Sequence, residues 1–365
     1  MACKKINILQ LISSLEVGGA EKLLIDLLYA SNPDEINFTI VVMNDKVNES
    51  LKKELLNTKC NIYFLNRPQG HKQPKYFFQL INIIKKNKIE IIHSHNDGSK
   101  IWSILLKLFM PRIKTVYTVH DTNIINKMAK KEYFLHKHFI DMNIAISKAV
   151  MAECRKYNIN NVTHIYNGIY IKNFYTEANK KNSIFKIINI ARITYNKKGQ
   201  DILIKALKIC KDKNINFKCD FVGGVYSYDK ESYTYLKTLV KDLNLEKEIN
   251  FLGTQDDIPK LLSQSDLFVL PSRYEGLGLV VLEAIASKVP VIASNIDGPA
   301  ELIKHEENGL LFESGNYQDL ADKILYLYDN KEKMECLTQR AYQLVKEFDI
   351  SFMYKKYFEL YESLI

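Results

Sequence analysis

Short apolar runs alternate with longer amphipathic stretches along the chain. Runs at residues 6–12, 38–42, 61–64, 89–93, 115–119, 142–145 and 162–165 have the length and makeup of buried strands. Between them apolar residues recur at helical spacing, as at 20–28, 76–86 and 101–109. The pattern lapses over 175–183, which is polar and aperiodic and reads as a linker. Beyond it the alternation restarts, with strands expected at 186–190, 218–222, 249–252, 267–270, 289–293 and 309–312. Helices are expected at 202–210, 233–243, 258–264, 279–287 and 299–303, and from there to the end. Buried runs joined by helices imply parallel sheets built from βαβ units. The expectation is an α/β protein of two Rossmann-like domains, residues 1–178 and 179–344. Ligands would lie in the cleft between their sheets, beyond the carboxyl ends of the strands.

The length agrees, since 365 residues exceed one ordinary hydrophobic core. A chain that is 47% hydrophobic and 25% charged is ordinary for a globular protein, which sets disorder aside. The formal charge of +9 suits nucleic acid, phosphorylated ligands or an anionic membrane, and equally lysines that merely solvate helix faces. Nucleic acid ranks last, because no binding motif accompanies the charge. The six cysteines lie far apart without a Cys-x-x-Cys pair, which argues against zinc or a disulfide framework and suits a reducing cytosol. The first apolar stretch is too short for a signal peptide, and no run of about 18 apolar residues occurs to span a bilayer. Membrane contact, if any, is then peripheral, at the inner face of the cell membrane for a cytoplasmic protein.

Three turns after expected strands carry candidate chemistry. The first runs from Pro271 through Glu275, Gly276 and Gly278 into a helix that holds Glu283. Glycines let the backbone turn tightly and approach a ligand closely. The helix beginning near Gly278 would aim free N–H groups and its positive end at an anion. Glu275 projects towards whatever the phosphate carries, and Glu283, about a turn inside the helix, could reach a hydroxyl-rich group such as ribose. The second turn holds Arg192 at a strand end and Lys198 before Gly199. Two cations converging there would neutralise a diphosphate. The third places Gly18 and Gly19 before a helix, again a phosphate- or sugar-proximal turn. None matches Gly-x-Gly-x-x-Gly, which disfavours a hydride-transferring dehydrogenase. Taken singly, each is also explained as a strand-to-helix connection with solvated side chains.

Taken in order, Gly18-Gly19-Ala20-Glu21, Arg192 with Lys198-Gly199, and Glu275 with Glu283 resemble retaining glycosyltransferase family four. Its members have the GT-B fold, two Rossmann-like domains facing across a cleft. Supporting segments are Val119-His120-Asp121, Ala145-Ile146-Ser147, Asn167-Gly168-Ile169, Phe221-Val222-Gly223, Phe251-Leu252-Gly253 and Pro290-Val291-Ile292-Ala293. The likeness extends from about residue 6 to the C-terminal helices. It implies transfer of a sugar from a nucleoside-diphosphate sugar to an acceptor hydroxyl with retained configuration. Arg192 and Lys198 would grip the diphosphate, with Gly18 and Gly19 nearby. The backbone of Gly278, Leu279 and Val280 would complete the phosphate site, and Glu283 would bind the ribose. Glu275 would be catalytic, holding the transferred sugar near its anomeric carbon. His120 would approach the donor sugar or help bind the acceptor, with His95 and Asn96 on the acceptor side. The final helix, about residues 345–365, would return to pack on the first domain.

Some alternatives stay open. His120 is equally a buried structural histidine, and the alternate spacing of His93 and His95 leaves a paired metal site conceivable. No aspartate pair with metal-binding spacing accompanies the motifs, so neither metal nor cofactor is expected. The expected acceptor is a cell-surface glycan or a lipid-linked glycan. The basic, aromatic stretch from Arg67 to Phe78, with Lys85 and Lys86, is the candidate contact to an anionic bilayer. The rivals are a nucleotide-sugar epimerase of the same fold and a non-catalytic nucleotide-sugar-binding partner. Three departures from the family pattern matter. Many relatives have one residue fewer between the arginine and lysine, which leaves Lys197 and Lys198 as alternatives. Gly224-Val225-Tyr226-Ser227-Tyr228 replaces an Asp-Gly-Pro-like turn, and Asp297-Gly298-Pro299 stands where a glycine pair is common.

Overall fold

The computed structural model describes residues 5–16, 18–174, 184–226 and 229–365. The linker expected at 175–183, and Ser227 and Tyr228 of the departing turn, lie outside the described residues. The chain divides into two compact units, Met1–Ile169 with Ile350–Ile365, and Tyr170–Asp349.

The first unit opens with β1 (Ile6–Ile12), α1 (Gly19–Ala30), β2 (Ile36–Asn44), α2 (Glu49–Leu56), β3 (Asn61–Arg67) and α3 (Pro74–Lys86). It continues with β4 (Ile91–Ser94), α4 (Asp97–Phe109), β5 (Lys114–Val119) and α5 (Lys130–Phe139). Then come β6 (Met142–Ala145), α6 (Lys148–Lys156) and β7 (Val162–His164). The seven strands form one parallel sheet in the order β3-β2-β1-β4-β5-β6-β7. Helices cover both faces, so a central strand such as β1 must be apolar throughout. Ile8, Leu9 and Leu11 are fully buried, and so is Gln10 between them.

The second unit contains β8 (Phe185–Ile190), α7 (Tyr195–Lys198), α8 (Gln200–Asp212), β9 (Phe217–Val222), α9 (Lys230–Asp242) and β10 (Ile249–Gly253). Next are α10 (Ile258–Ser263), β11 (Leu267–Leu270), α11 (Leu279–Ala286), β12 (Val291–Ser294), α12 (Pro299–Leu302) and β13 (Leu310–Phe312). The helices α13 (Tyr317–Asp329) and α14 (Lys331–Leu344) complete it. Its sheet is also parallel, in the order β10-β9-β8-β11-β12-β13. Isoleucines and leucines of α8 and α13 fill the core against β8, β9 and β13. The last helix, α15 (Ile350–Leu364), belongs to the first unit and packs on α1.

Polar residues set where the helices begin. Asn96 caps α4 by accepting from Ser99 N–H, and Ser99 Oγ accepts from Asn96 N–H in return. Ser147 caps α6 and Asn316 caps α13 through their own side-chain oxygens, each cap contributing about 1 kcal/mol.

Both strand orders reverse direction once, between β1 and β4 in the first sheet and between β8 and β11 in the second. Successive helices leave to opposite faces at such a point, because crossovers are right-handed, and the turns there part to leave a crevice. The candidate catalytic, donor and acceptor residues, His120 after β5 excepted, follow β1, β4, β8 or β11.

Candidate active site

In the second unit the crevice is built from the turns after β8 and β11. Gly199 joins α7 to α8 with φ +66, a left-handed conformation. A side chain there would also lie 1.9 Å from Pro271 O, so only glycine lets the two turns touch. That contact brings Lys198 to Glu275: Lys198 Nζ donates to Oε2 at 2.6 Å and Oε1 at 2.9 Å. Their side chains are 17% and 11% exposed, so both charges keep only an edge towards water. The lysine that meets Glu275 is thus Lys198, and the Lys197 carbonyl accepts from Arg273 N–H.

Arg273 stands in the sequence motif without an assigned role. Its guanidinium makes a bidentate pair with Asp201 at 2.8 and 2.9 Å and donates to Tyr195 O at 2.7 Å. It therefore ties the turn carrying Glu275 to the start of α7, the short helix that presents Lys198, and to the first turn of α8. No spacing rule links Arg273 to Asp201, 72 residues earlier.

Arg192 stands at the end of β8, with Nε 3.4 Å from Asp229 Oδ2 and its guanidinium 5.5 Å from the centre of the Tyr226 ring. The departing turn after β9 thus puts an aromatic face against this cation. Gln200 donates to Arg192 O and fixes the backbone beneath it. Gly278 caps α11 with φ +86, and Leu279 and Val280 are the first residues of the helix. Their N–H groups belong to the first turn, which has no partner within the helix. Gly298 also has φ +84, and a side chain on it would meet Gly276 O at 2.8 Å. The Asp297-Gly298-Pro299 departure therefore buttresses the Glu275 turn from behind. Glu283 is half-buried on α11, one turn beyond Gly278.

In the first unit the corresponding turns follow β1 and β4, with His120 just past β5. Gly18 caps α1 in an extended conformation, and a side chain on it would lie 2.5 Å from Glu21 Oε2. Asn96 is engaged as the cap of α4, and Oδ1 also accepts from Ser13 Oγ at 2.5 Å, which ties the two turns together. His95 lies beside His93 and His120, with ring centres 4.2 and 5.9 Å away. Gln10 Oε1 accepts from His95 Nε2 at 2.6 Å, and Gln10 Nε2 donates to the Tyr361 hydroxyl at 3.2 Å. With the Gln10 amide so oriented, the Tyr361 proton goes to His93 Nδ1 at 2.7 Å, and His93 Nε2–H donates to Thr118 Oγ1 at 2.7 Å. The result is a continuous neutral relay from α15 to the strand ends.

Burial pushes all three imidazoles down. His93 falls to about 3, helped by His120, and His120 to about 4. His95 falls well below its ordinary value, through burial and then the other two histidines. His120 Nε2 is buried without a hydrogen-bond partner among the described residues, a group that invites a ligand. His93 spends both ring nitrogens on hydroxyls, which removes it as a metal ligand. Among the described residues no group of three or more His, Cys, Asp or Glu is gathered for a metal. Gln10 and Tyr361 escaped the sequence reading. The signal for Gln10 was a lone amide within an apolar strand, but nothing local pointed to Tyr361.

Residues 17–172 match the family model Glycosyltransferase Family 4, and residues 170–344 match Glycosyl transferases group 1. An uncharacterized glycosyltransferase of Methanocaldococcus jannaschii is 31% identical over 73% of this chain and 73% of its own. The UDP-Gal:alpha-D-GlcNAc-diphosphoundecaprenol alpha-1,3-galactosyltransferase of Escherichia coli is 26% identical over 80% of this chain and 82% of its own. Among solved structures, Anabaena HepE in complex with UDP and glucose superposes with a TM-score of 0.86 at 23% identity, over 98% of this chain and 100% of that one. Two parallel Rossmann-like sheets, the paired strand-end turns and these matches make the chain a member of glycosyltransferase family four, with the GT-B fold.

Proposed function

We propose that the chain moves a sugar from a nucleoside-diphosphate sugar to a hydroxyl of a lipid-linked or cell-surface glycan, with retention and without a metal. The observation that carries this is the Lys198–Glu275 pair beside the left-handed Gly278 at the start of α11. It sets a cation, a carboxylate and free backbone N–H groups at one strand-end crevice. When the bond from the anomeric carbon to the diphosphate breaks, the electron pair goes to the diphosphate. Arg192, Lys198 and the α11 N-terminus would meet that charge in the role a divalent cation fills elsewhere. Positive charge on the sugar would fall to Glu275, whose carboxylate Lys198 holds in place. Glu283 would receive the ribose. Gly18 and Gly19 would contribute to donor binding, and His120 and His95 offer neutral lone pairs for the sugar or acceptor hydroxyls. Asn96, engaged as a helix cap, would act by shaping the acceptor side.

The names of the compared proteins make UDP-sugars the first donors to test, and a diphosphoundecaprenol-linked glycan is the model acceptor. Such an acceptor would be met at the cytoplasmic face of a membrane.

The test is turnover of Glu275→Gln, expected to fall about 10²-fold or more while donor binding persists. Near-normal turnover would remove Glu275 from the mechanism. Wild-type activity should survive excess chelator; loss restored by manganese would overturn the metal-free step. Isomerised donor formed without acceptor would replace transfer by epimerisation.

A further inference from the structure

The charge of the chain is not spread evenly. From Arg67 to Phe139 there are 14 lysines and arginines against four aspartates and glutamates, while the rest of the chain has 37 against 38. The whole positive excess therefore lies in the segment that forms α3, α4 and α5. Two of its four carboxylates, Asp97 and Glu132, are committed to the buried Lys100 at 2.9 Å each. Lys75 and Lys86 on α3 and Lys130, Lys131 and Lys137 on α5 are exposed.

The same helices leave apolar side chains in water. On α4, Ile101, Leu105 and Leu108 recur at helical spacing and are 50%, 38% and 46% exposed, and Phe109 at the helix end is 70% exposed. A surface helix ordinarily turns such a stripe inward. Here the opposite face is the buried one, with Ile104 and Leu106 beside Ser99, Lys100 and Ser103, and the apolar stripe is left to solvent. Neighbours extend the stripe: Phe78 of α3 and Phe134 of α5 are 61% and 57% exposed. Phe77 of α3 stacks edge-on with Phe109 at 5.0 Å, and α4 packs against α5 through the Lys100–Glu132 pair. An open recess lies between Lys130, Lys131, Phe134 and Leu135. Arg67, the first residue of the basic stretch picked from the sequence, takes no part. It is buried, donating to Asn44 Oδ1 and His71 O.

We infer that the face formed by α3, α4 and α5 docks on an anionic lipid bilayer, with the α4 stripe inserted among the lipids and the lysines of α3 and α5 on the headgroups. Apolar residues flanked by cations fit an interface that is apolar within and negative at its surface. A second copy of this chain fits worse, since it would set one cationic face against another. No helix among the described residues is long and apolar enough to cross a membrane, so the contact is peripheral. The docking deepens the proposed lipid-linked acceptor and rests on that reading for its purpose, whereas binding is measured without turnover.

The test is co-sedimentation of the full chain with phosphatidylcholine vesicles, with and without phosphatidylglycerol. Binding is expected with the anionic vesicles at low salt, weakening as salt rises. Lys130→Ala and Lys131→Ala should each lower partitioning about fivefold, and Leu105→Ser with Leu108→Ser at least about tenfold together. Tyr326→Ser, exposed on α13, should change nothing. Absence of pelleting at low salt, equal pelleting with neutral vesicles, or indifference to the α4 and α5 substitutions would overturn the inference. So would a dimer in size-exclusion that the α4 substitutions dissolve while vesicles stay unbound. Binding without sugar transfer would keep the surface and remove the proposed function; transfer without binding would do the reverse.

Discussion

The two strand-end crevices share a construction and differ in electrostatics. Each sits where a parallel sheet reverses its strand order, and each has two turns locked together, by Gly199 on Pro271 in one and by Ser13 on Asn96 in the other. The second-unit crevice is ionic, with Lys198 on Glu275, Arg273 on Asp201 and Arg192 beside Asp229. The first-unit crevice is neutral, a relay of Gln10, His93, His95, Thr118 and Tyr361 whose imidazoles burial keeps uncharged. The contrast matches two tasks. A diphosphate is charged throughout and gains negative charge as a sugar leaves it, which calls for permanent counter-charges. A hydroxyl is best met by lone pairs that do not attract the diphosphate themselves.

Removing one charge tests the ionic half most severely. Lys198→Met should lower kcat/KM about 10²–10³-fold, because the variant loses the proposed phosphate contact and leaves Glu275 without its cation. In a double-mutant cycle with Glu275→Gln the two losses should fall well short of additive, since each single change already breaks the pair. Strict additivity would mean that the pair does not act as a unit, and the ionic half of the contrast would lose its centre.

Most of the architecture was legible because its signals are local. Buried parallel strands read as apolar runs, and β1, β6 and β11 begin and end where the hydrophobic pattern put them. The helices α2, α5 and α6 were less legible. Each is short and carries several charged residues, which gave the 3.6-residue period little contrast, and α5 buries only His136. The residues proposed for the donor side were legible only as types at turns, since their order along the chain, and no one of them singly, set them apart. What stayed hidden were couplings across long sequence separations. Asp201 with Arg273 and Gln10 with Tyr361 are chosen by the tertiary fold, and neither partner's neighbours announce the other.

Tyr361→Phe sharpens the neutral half at a smaller magnitude. Losing the hydroxyl strands Gln10 Nε2 and His93 Nδ1 in a fully buried place. The expected loss is about 2 kcal/mol of unfolding free energy, in the range for buried groups left unpaired. The Gln10–His95 bond should loosen too, so acceptor KM should rise several-fold while donor affinity, proposed to rest mainly on the second unit, stays within about twofold. Nitrogen-15 spectra should show His93 and His95 losing their Nε2–H form. A fall in donor affinity equal to the change in acceptor KM would end the division of labour.

Glu21 is where the first unit breaks its own pattern, since it places a carboxyl in that neutral crevice. Burial, opposed by the helix backbone and reinforced by nearby Glu16, raises Glu21 from 4.5 to about 7. The sign follows from linkage. The unfolded chain releases this proton near 4.5 and the folded chain holds it until about 7, so stability falls as pH climbs through that window and stays lower above it. Glu21→Gln keeps the shape and removes the penalty. After allowance for partial exposure, the variant should gain about 1–2 kcal/mol over the parent near pH 8 and nothing near pH 4. Thermal melts across that range decide it. A gain that is flat with pH would mean that Glu21 never carried a desolvation penalty, and that this crevice tolerates charge as readily as the other.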